Sequence, residues 1–239
     1  MPAYHARMSL DDSPIHAVVF DMDGVICDSE PFLRAATQEM FRQRYQADVA
    51  EAEFLPFTGA GDDRFILGPG ESRGLAMNLA DDKALVYQLY LRQIRGRLRS
   101  VAGVGEFIQR CRRAQLKLAV ASAGDAVRVR GNLRELGFGE LTFHSLITAG
   151  DVDRKKPDPA AFQLAMHRLG VKPRFTLVIE DAIHGVTAAC RAECRSLGMT
   201  STFTADQLRD AGAAWTAPDF TELPGDLSKL LFNDPPPRR

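Results

Sequence analysis

Short apolar runs alternate with amphipathic stretches over most of the chain. Five runs rich in aliphatic residues predict strands, over residues 16–21, 116–122, 145–148, 175–181 and 194–199. Helical spacing of apolar residues follows at 104–113, 126–136, 159–169 and 183–192. Strands that alternate with helices predict βαβ units. We therefore expect an α/β fold, a doubly wound (Rossmann-like) parallel sheet with helices on both faces.

The alternation stops between residues 29 and 100, where no strand-like run occurs. A helix is predicted to begin at Ser29-Glu30-Pro31 and to continue through Tyr45, and a second one spans 81–98. A glycine-rich section lies between them. We expect a small helical domain over residues 31–100, inserted into an α/β core made of residues 14–30 and 101–232. Residues 233–239 are expected to form a disordered tail.

The composition of the 239-residue chain is that of an ordinary globular protein, with 45% hydrophobic and 26% charged residues. A formal net charge of −1 gives no basic field that would attract nucleic acid. No apolar run approaches the roughly 18–20 residues that span a bilayer, and residues 1–14 lack the apolar centre of a secretory signal. We expect a cytoplasmic monomer that binds neither nucleic acid nor a membrane.

The four cysteines fit no disulfide framework in a chain of this length. Cys190 and Cys194 are four residues apart on a predicted helix, a spacing that would suit a metal or redox pair. The preferred interpretation is two small buried thiols.

The first predicted strand ends in two carboxylates, Asp21 and Asp23, followed by Gly24. Side chains at i and i+2 of a strand point to the same side, so these carboxylates repel each other unless a cation or a shared proton compensates. The carboxyl end of a strand is also where open α/β sheets bind ligands. The pattern favours a metal or proton-transfer site, with a solvated turn as the alternative for this motif alone.

Three further polar groups follow predicted strands. Ser122, with the backbone N–H groups around Ala123, can hold phosphate oxygens at a strand-to-helix turn. Lys156 lies in the sequence Lys-Lys-Pro-Asp-Pro, and Glu180-Asp181 repeats the carboxylate pair at the end of another strand. Each group alone is typical of a helix cap or a solvated charge. Together they predict one site at the edge of the sheet.

In this order, DxDGVxxDS, the serine, KPDP and VIEDxxxGV resemble the four motifs of the haloacid dehalogenase superfamily, and the match covers nearly the whole chain. The helical insertion resembles the small cap of the β-phosphoglucomutase-like phosphatases in that superfamily. The stretch FLPFTGAGDDRFILG within it is also similar to a domain of a larger plant thylakoid protein.

The resemblance implies a phosphatase that works through an aspartyl-phosphate. Asp21 is then the nucleophile, and splitting the hydrolysis into two steps is the role of such a covalent intermediate. Asp23 is expected to protonate the leaving oxygen and afterwards to deprotonate the attacking water. Ser122 and Lys156 are expected to stabilise the phosphoryl oxygens in the transition state.

The resemblance also implies Mg²⁺, a cation that prefers hard oxygen ligands. The expected ligands are the Asp21 carboxylate, the Asp23 backbone carbonyl and Asp181, with Glu180 contributing directly or through water. The cation would neutralise the repulsion between the anionic nucleophile and the anionic phosphate.

Two positions discriminate between members of the superfamily. Dehalogenases and phosphonate-cleaving members lack the second aspartate, so Asp23 favours phosphoryl transfer to and from oxygen. Many relatives carry a histidine five residues after the position of Asp28, where this chain has Leu33. Leucine transfers no proton, which disfavours the mutase reaction. Arg64 and Thr58 in the insertion are candidate substrate contacts, each weighed against an ordinary surface role.

We therefore expect a Mg²⁺-dependent phosphatase for a small phosphorylated metabolite, with the insertion closing over the site and selecting the substrate. One alternative is a sugar-phosphate mutase. Another is a regulatory domain that keeps the fold without turnover, which the complete set of motif residues argues against. The resemblance to the thylakoid protein makes a plastid the alternative compartment.

Overall fold

The protein is described by a computed structural model over residues 12–59, 61–139 and 141–232. Six strands form a parallel sheet in the order β3-β2-β1-β4-β5-β6. They are β1 (Ala17–Phe20), β2 (Lys117–Ala121), β3 (Ser145–Ile147), β4 (Thr176–Glu180), β5 (Arg195–Met199) and β6 (Trp215–Ala217). The expected doubly wound parallel sheet is confirmed.

The first four α-helices of the described residues lie between β1 and β2, and the others follow β2 or a later strand. They are α1 (Glu30–Tyr45), α2 (Asp62–Ser72), α3 (Leu79–Ile94), α4 (Val104–Arg113), α5 (Ala126–Glu135), α6 (Ala160–Leu169), α7 (Ile183–Arg191), α8 (Ala205–Asp210) and α9 (Gly225–Phe232). Short 3₁₀ turns occupy Glu51–Glu53, Leu55–Phe57, Ala149–Asp151 and Pro173–Phe175.

The central strand β1 is apolar throughout because both faces of the sheet are covered. Its residues Val18 and Phe20 face a large core that includes side chains of α1, α3, α4 and α5. Ala17 and Val19 face the opposite core, which includes side chains of α6 and α7. All four residues are fully buried. Such burial on two faces explains why the strand is a continuous apolar run instead of an alternating one.

The insertion, residues 31–100, is helical as expected, but α2 forms where the sequence indicates only a glycine-rich section. Gly68, Pro69 and Gly70 lie inside this helix. A Cβ atom on Gly68 would lie 2.4 Å from the Phe57 ring, and one on Gly70 would lie 2.5 Å from Met77 Sδ. Close tertiary packing therefore requires residues that are weak helix formers. The division of the chain into a core and a cap at residues 31 and 100 stays a prediction.

Helix α3 lies along α5, so the insertion packs against the α/β core. Tyr90 of α3 donates a hydrogen bond to Asn132 of α5, and Lys83 forms an ion pair with Asp125 just before α5. No helix within the described residues is long and apolar enough to cross a membrane. The predicted tail at 233–239, and most of the amino-terminal segment considered above, lie outside the described residues.

Candidate active site

Three neighbouring strands end at the same level of the sheet. Phe20 of β1 is in register with Val120 of β2 and Ile179 of β4. The next residues along these strands are Asp21, then Ala121 followed by Ser122, and Glu180 followed by Asp181. Parallel pairing therefore gathers the polar groups that follow the strands, as the sequence predicts. Asp21 is anchored by its own backbone, since its N–H donates to the carbonyl of Ile179 at 2.9 Å.

Lys156 connects these strand ends. Its Nζ donates to Asp21 Oδ1, to Glu180 Oε1 and to the carbonyl of Ala121, the last at 2.9 Å. Burial alone would lower the pKa of the lysine, but the carboxylates of Asp21 and Glu180 outweigh it and raise this pKa above its ordinary value. The ammonium group is therefore charged and fixed beside the Asp21 carboxylate.

Asp21, Glu180 and Asp181 form an acidic cluster. Each offers one carboxylate oxygen, and these atoms lie within 4.8 Å of one another. Burial raises the pKa of Glu180 to about 8 and that of Asp181 to about 7, and it also raises the pKa of Asp21. Three acids facing one lysine leave an excess of negative charge that the low-dielectric surroundings penalise.

This acidic cluster fits a divalent cation. Its carboxylate oxygens are the hard ligands that Mg²⁺ prefers, and burial, which raises the pKa of Glu180 and of Asp181, makes their ionised forms costly without a cation beside them. Two glycines allow the backbone to approach it. A Cβ on Gly24, which has φ +72°, would lie 2.1 Å from Asp181 Oδ2, and one on Gly185 would lie 2.0 Å from the Glu180 carboxyl carbon. Any larger residue at these positions would displace the carboxylates.

Asp23 has different partners from Asp21. One of its carboxylate oxygens accepts a hydrogen bond from Ser29 Oγ, and the other accepts from Arg128 Nη1 at 2.8 Å. Both oxygens are therefore held by neighbours of the site instead of by the lysine that holds Asp21. The two aspartates of the first motif have separate environments, which is the arrangement that distinct chemical roles require.

Ser122 is buried at the start of the turn between β2 and α5. Its Oγ accepts a hydrogen bond from the backbone N–H of Gly124 at 3.0 Å, which leaves its own hydroxyl hydrogen available to an oxygen of a ligand. Ala123 is half-buried in the same turn, directly before the amino end of α5. Backbone N–H groups at such a turn are suited to an anion.

The two substrate contacts predicted in the insertion have other partners. Arg64 is half-exposed, and its Nη1 lies 2.7 Å from Glu71 Oε2 on the same helix, with the guanidinium over the ring of Phe57. Thr58 is exposed and donates to Glu30 Oε1 at 3.4 Å. Neither of these contacts joins the acidic cluster. His184, which follows the last carboxylate pair, is exposed to solvent.

Several residues of the site escape sequence reasoning. Arg128 contacts Asp23, and Thr202 Oγ1 donates to Asp181 Oδ2. The signal for Arg128 is helical periodicity, because it shares the buried face of α5 with Val129, Asn132 and Leu133. No comparable signal exists for Thr202, since only the fold brings the loop after β5 beside β4.

Comparison with known proteins shows the family of the chain. A family model described as haloacid dehalogenase-like hydrolase matches residues 15–193. The protein SUPPRESSOR OF QUENCHING 1, chloroplastic, of Arabidopsis thaliana is 32% identical over 238 residues, which is 96% of this chain. The match spans about a fifth (21%) of the plant protein.

Two smaller proteins match over most of their length. A phosphorylated carbohydrates phosphatase of Thermotoga maritima is 32% identical over 186 residues, 73% of this chain and 80% of that protein. The crystal structure of CbbY from Rhodobacter sphaeroides in complex with phosphate has a TM-score of 0.77 at 23% identity and covers 87% of this chain and 96% of that one. At that identity the structural match supports the fold alone.

Proposed function

The chain belongs to the haloacid dehalogenase-like hydrolases, and within that family we propose that it is a Mg²⁺-dependent phosphatase acting on a small phosphorylated metabolite. The observation that carries the proposal is the part-buried contact of Asp21 with Lys156 beside Glu180 and Asp181. It combines a fixed carboxylate nucleophile, a cation for the phosphate and oxygen ligands for a metal at one edge of the sheet, where β1 and β4 end.

In the first step, an Asp21 oxygen attacks phosphorus and the bond from phosphorus to the ester oxygen breaks, which gives an aspartyl-phosphate. Lys156 keeps the attacking carboxylate oriented and offsets part of the charge of the phosphate. The hydroxyl of Ser122 and the N–H groups of the turn after β2 are the donors for the phosphoryl oxygens. A bound Mg²⁺ would supply further neutralisation of the negative charge.

Asp23 is the proposed general acid of the first step and the general base of the second. It donates a proton to the departing ester oxygen in the first step and takes one from the water that attacks the aspartyl-phosphate in the second. The water cleaves the phosphorus–oxygen bond to Asp21, so that phosphate leaves and both aspartates return to their starting state. The separate hydrogen-bond partners of Asp21 and Asp23 support this division of roles.

The names of the relatives support the substrate class. One of them is a phosphatase of phosphorylated carbohydrates. Leu33, a buried apolar side chain of α1, argues against the mutase alternative because it can transfer no proton. The plant relative named chloroplastic supports a plastid location as the alternative to the cytoplasm, which cell fractionation would decide.

The proposal is tested by phosphate release from a panel of phosphorylated metabolites. We expect release with Mg²⁺, none with EDTA, and none from the Asp21→Asn variant under either condition. Asp206→Asn is the matched control, because its side chain is 94% exposed and lies on α8. Full activity of Asp21→Asn would refute the nucleophile, and conversion of a sugar 1-phosphate to its 6-phosphate faster than phosphate release would establish the mutase instead.

A further inference from the structure

Arg128 is an arginine that is only 6% exposed, on the first turn of α5. Its guanidinium is held on two sides. Nη1 donates to Asp23 Oδ2 at 2.8 Å and to Ser29 Oγ at 3.0 Å. Nε and Nη2 lie 3.2 Å and 3.1 Å from the two oxygens of Asp62. The same side chain therefore contacts the proposed proton donor and the insertion.

Asp62 is the first residue of α2 and is 3% exposed. Besides Arg128, it accepts hydrogen bonds from Tyr87 of α3 at 2.8 Å and from the backbone N–H of Asp125 at 3.1 Å. Four donors thus converge on one buried carboxylate. A buried charge with this many partners is costly to leave unpaired, so Asp62 fixes the guanidinium in one orientation.

Resting on the proposed function, we propose that Arg128 is a positioning residue that sets the orientation of the Asp23 carboxylate and couples it to Asp62 of the insertion. Through these contacts, the packing of α2 and α3 on the core sets the position of the Asp23 carboxylate, the proposed proton donor.

A purely structural arginine would need only the contact with Asp62, which joins α5 to α2. The Nη1 arm is different, because it reaches an aspartate of the first motif and is shared with Ser29, which holds the other oxygen of that aspartate. Ser29 and Arg128 together fix both oxygens of Asp23. A planar, bidentate cation is the side chain that can hold two carboxylates at set angles, and lysine cannot replace it fully.

The leaving group provides the test, since an alkoxide needs a proton when it departs whereas 4-nitrophenolate does not. The ratio kcat/KM includes only the steps through formation of the aspartyl-phosphate. It is therefore unaffected by the second role of Asp23, which is to deprotonate the water that attacks this intermediate. The ratio is measured with 4-nitrophenyl phosphate and with the best alkyl phosphate of the panel, for wild type, Arg128→Met, Arg128→Lys and Asp62→Asn. Arg130→Met is the control, an exposed arginine on the same helix.

We expect Arg128→Met to lose at least about tenfold more kcat/KM on the alkyl ester than on the aryl ester. Arg128→Lys should recover part of that difference, and Asp62→Asn should show the same selectivity with a smaller loss. Arg130→Met should match wild type on both esters. If Arg128→Met does not fold, the lysine and Asp62 variants decide the matter, because both keep a polar group at the position.

Equal losses on the two esters would mean that Arg128 has only a structural role and would overturn the proposal. A gain on the alkyl ester would overturn it too, because the arginine would then hold Asp23 in an unproductive orientation. Wild-type protein that hydrolyses neither ester would refute the proposed function, and this role of Arg128 with it. Activity on both esters with no selectivity among the variants would refute the role alone.

Discussion

Asp181 differs from an ordinary aspartate because it is buried beside other carboxylates. Burial, reinforced by the charge of Asp21, raises its pKa to about 7. In the cation-free folded protein the carboxyl keeps its proton up to that pH, whereas the unfolded chain releases it at about pH 4. Its contribution to stability is therefore present at low pH and is lost as the pH rises through about 7.

A bound divalent cation replaces this proton, so Mg²⁺ should stabilise the fold more as the pH rises. We expect the increase in Tm caused by Mg²⁺, relative to EDTA, to be larger at about pH 8 than at about pH 6. Differential scanning fluorimetry at the two pH values measures it. Asp181→Asn lacks one carboxylate of the acidic cluster, so Mg²⁺ should raise its Tm less than that of wild type at both pH values. An equal increase of the wild-type Tm at both pH values would contradict the expectation.

Thr202 orients the same carboxylate from outside the acidic cluster. Its hydroxyl donates to Asp181 Oδ2, and this hydrogen bond favours the ionised form that a cation requires. Thr202→Val removes the hydroxyl with little change of shape. We expect Mg²⁺ to bind about tenfold more weakly, the lower end of what partners of metal ligands contribute.

Isothermal titration with Mg²⁺ measures the effect of Thr202→Val. The matched control is Thr200→Val, since the Thr200 hydroxyl faces only the carbonyl of Ala217, at 3.4 Å. Binding by Thr200→Val should equal that of wild type. If both variants bind Mg²⁺ as wild type does, Thr202 has no part in orienting Asp181.

The residues of the site differ in how well the sequence alone predicts them. Asp21, Glu180 and Asp181 directly follow or end apolar runs, so the parallel sheet alone brings them together. Arg128 lies 105 residues from Asp23 in the sequence, and its residue type alone does not distinguish it from the other arginines of α5. Helical periodicity indicates that it lies on the buried face of α5, but its contact with Asp23 depends on how α5 packs, which no local pattern specifies.

At the scale of elements, β2 provides a clear test of the core. Leu118 is fully buried in this strand, between β1 and β3, whereas Leu141 is 90% exposed in the loop before β3. Leu118→Ala should lower the free energy of unfolding by about 2–5 kcal/mol, because it removes buried methyl groups and leaves a cavity. Leu141→Ala should change it by less than about 0.5 kcal/mol.

Urea unfolding of both leucine variants and of wild type measures this difference. The slope of the transition should be the same in all three, so that the midpoint alone reports stability. A loss for Leu141→Ala as large as that for Leu118→Ala would mean that the loop before β3 is packed against something in solution.

Elements with strong periodicity are predicted closely. The helix at 104–113 has the expected bounds, and the strands β1, β2 and β4 differ by one residue at each end. The elements that sequence reasoning missed are short or depend on packing. Strand β6 has three residues, and α2 contains Gly68 and Gly70, which only close contacts with the Phe57 ring and Met77 explain.

At the scale of the molecule, the docking of the insertion unites elements that are far apart in the chain. Residues 62–94 meet α5 through the Asp62–Arg128 and Lys83–Asp125 pairs and through the packing of α3 on α5. The sequence predicts that helices follow the first strand and close over the site, but it does not predict which residues of the core hold them there. That choice is made by buried charges whose partners lie on other elements.

The four cysteines lie in different parts of the fold and differ in how deeply their thiols are buried. Cys27, Cys111 and Cys194 are buried in the first loop, in α4 and before β5, while Cys190 is half-buried and lies against the carbonyl of Gly212. The pair at 190 and 194 therefore forms no joint site, since the Cys194 thiol faces Met166 at 3.4 Å instead. Burial raises the pKa of Cys111 and of Cys194 to about 12, so their reactive thiolate is scarce.

Under native conditions at about pH 8, we expect a chromogenic disulfide reagent to label at most one thiol, that of Cys190, and to do so slowly. The other three thiols should react only when the protein unfolds, and at rates close to one another, because they belong to different parts of one cooperative core. Cys190→Ser should remove the early reaction and leave the later one unchanged. Rapid labelling of two or more thiols in the folded protein would show that the sheet and its helical layers open separately. The labelling rates of the three buried thiols, resolved by mass spectrometry, would then identify which layer opens first.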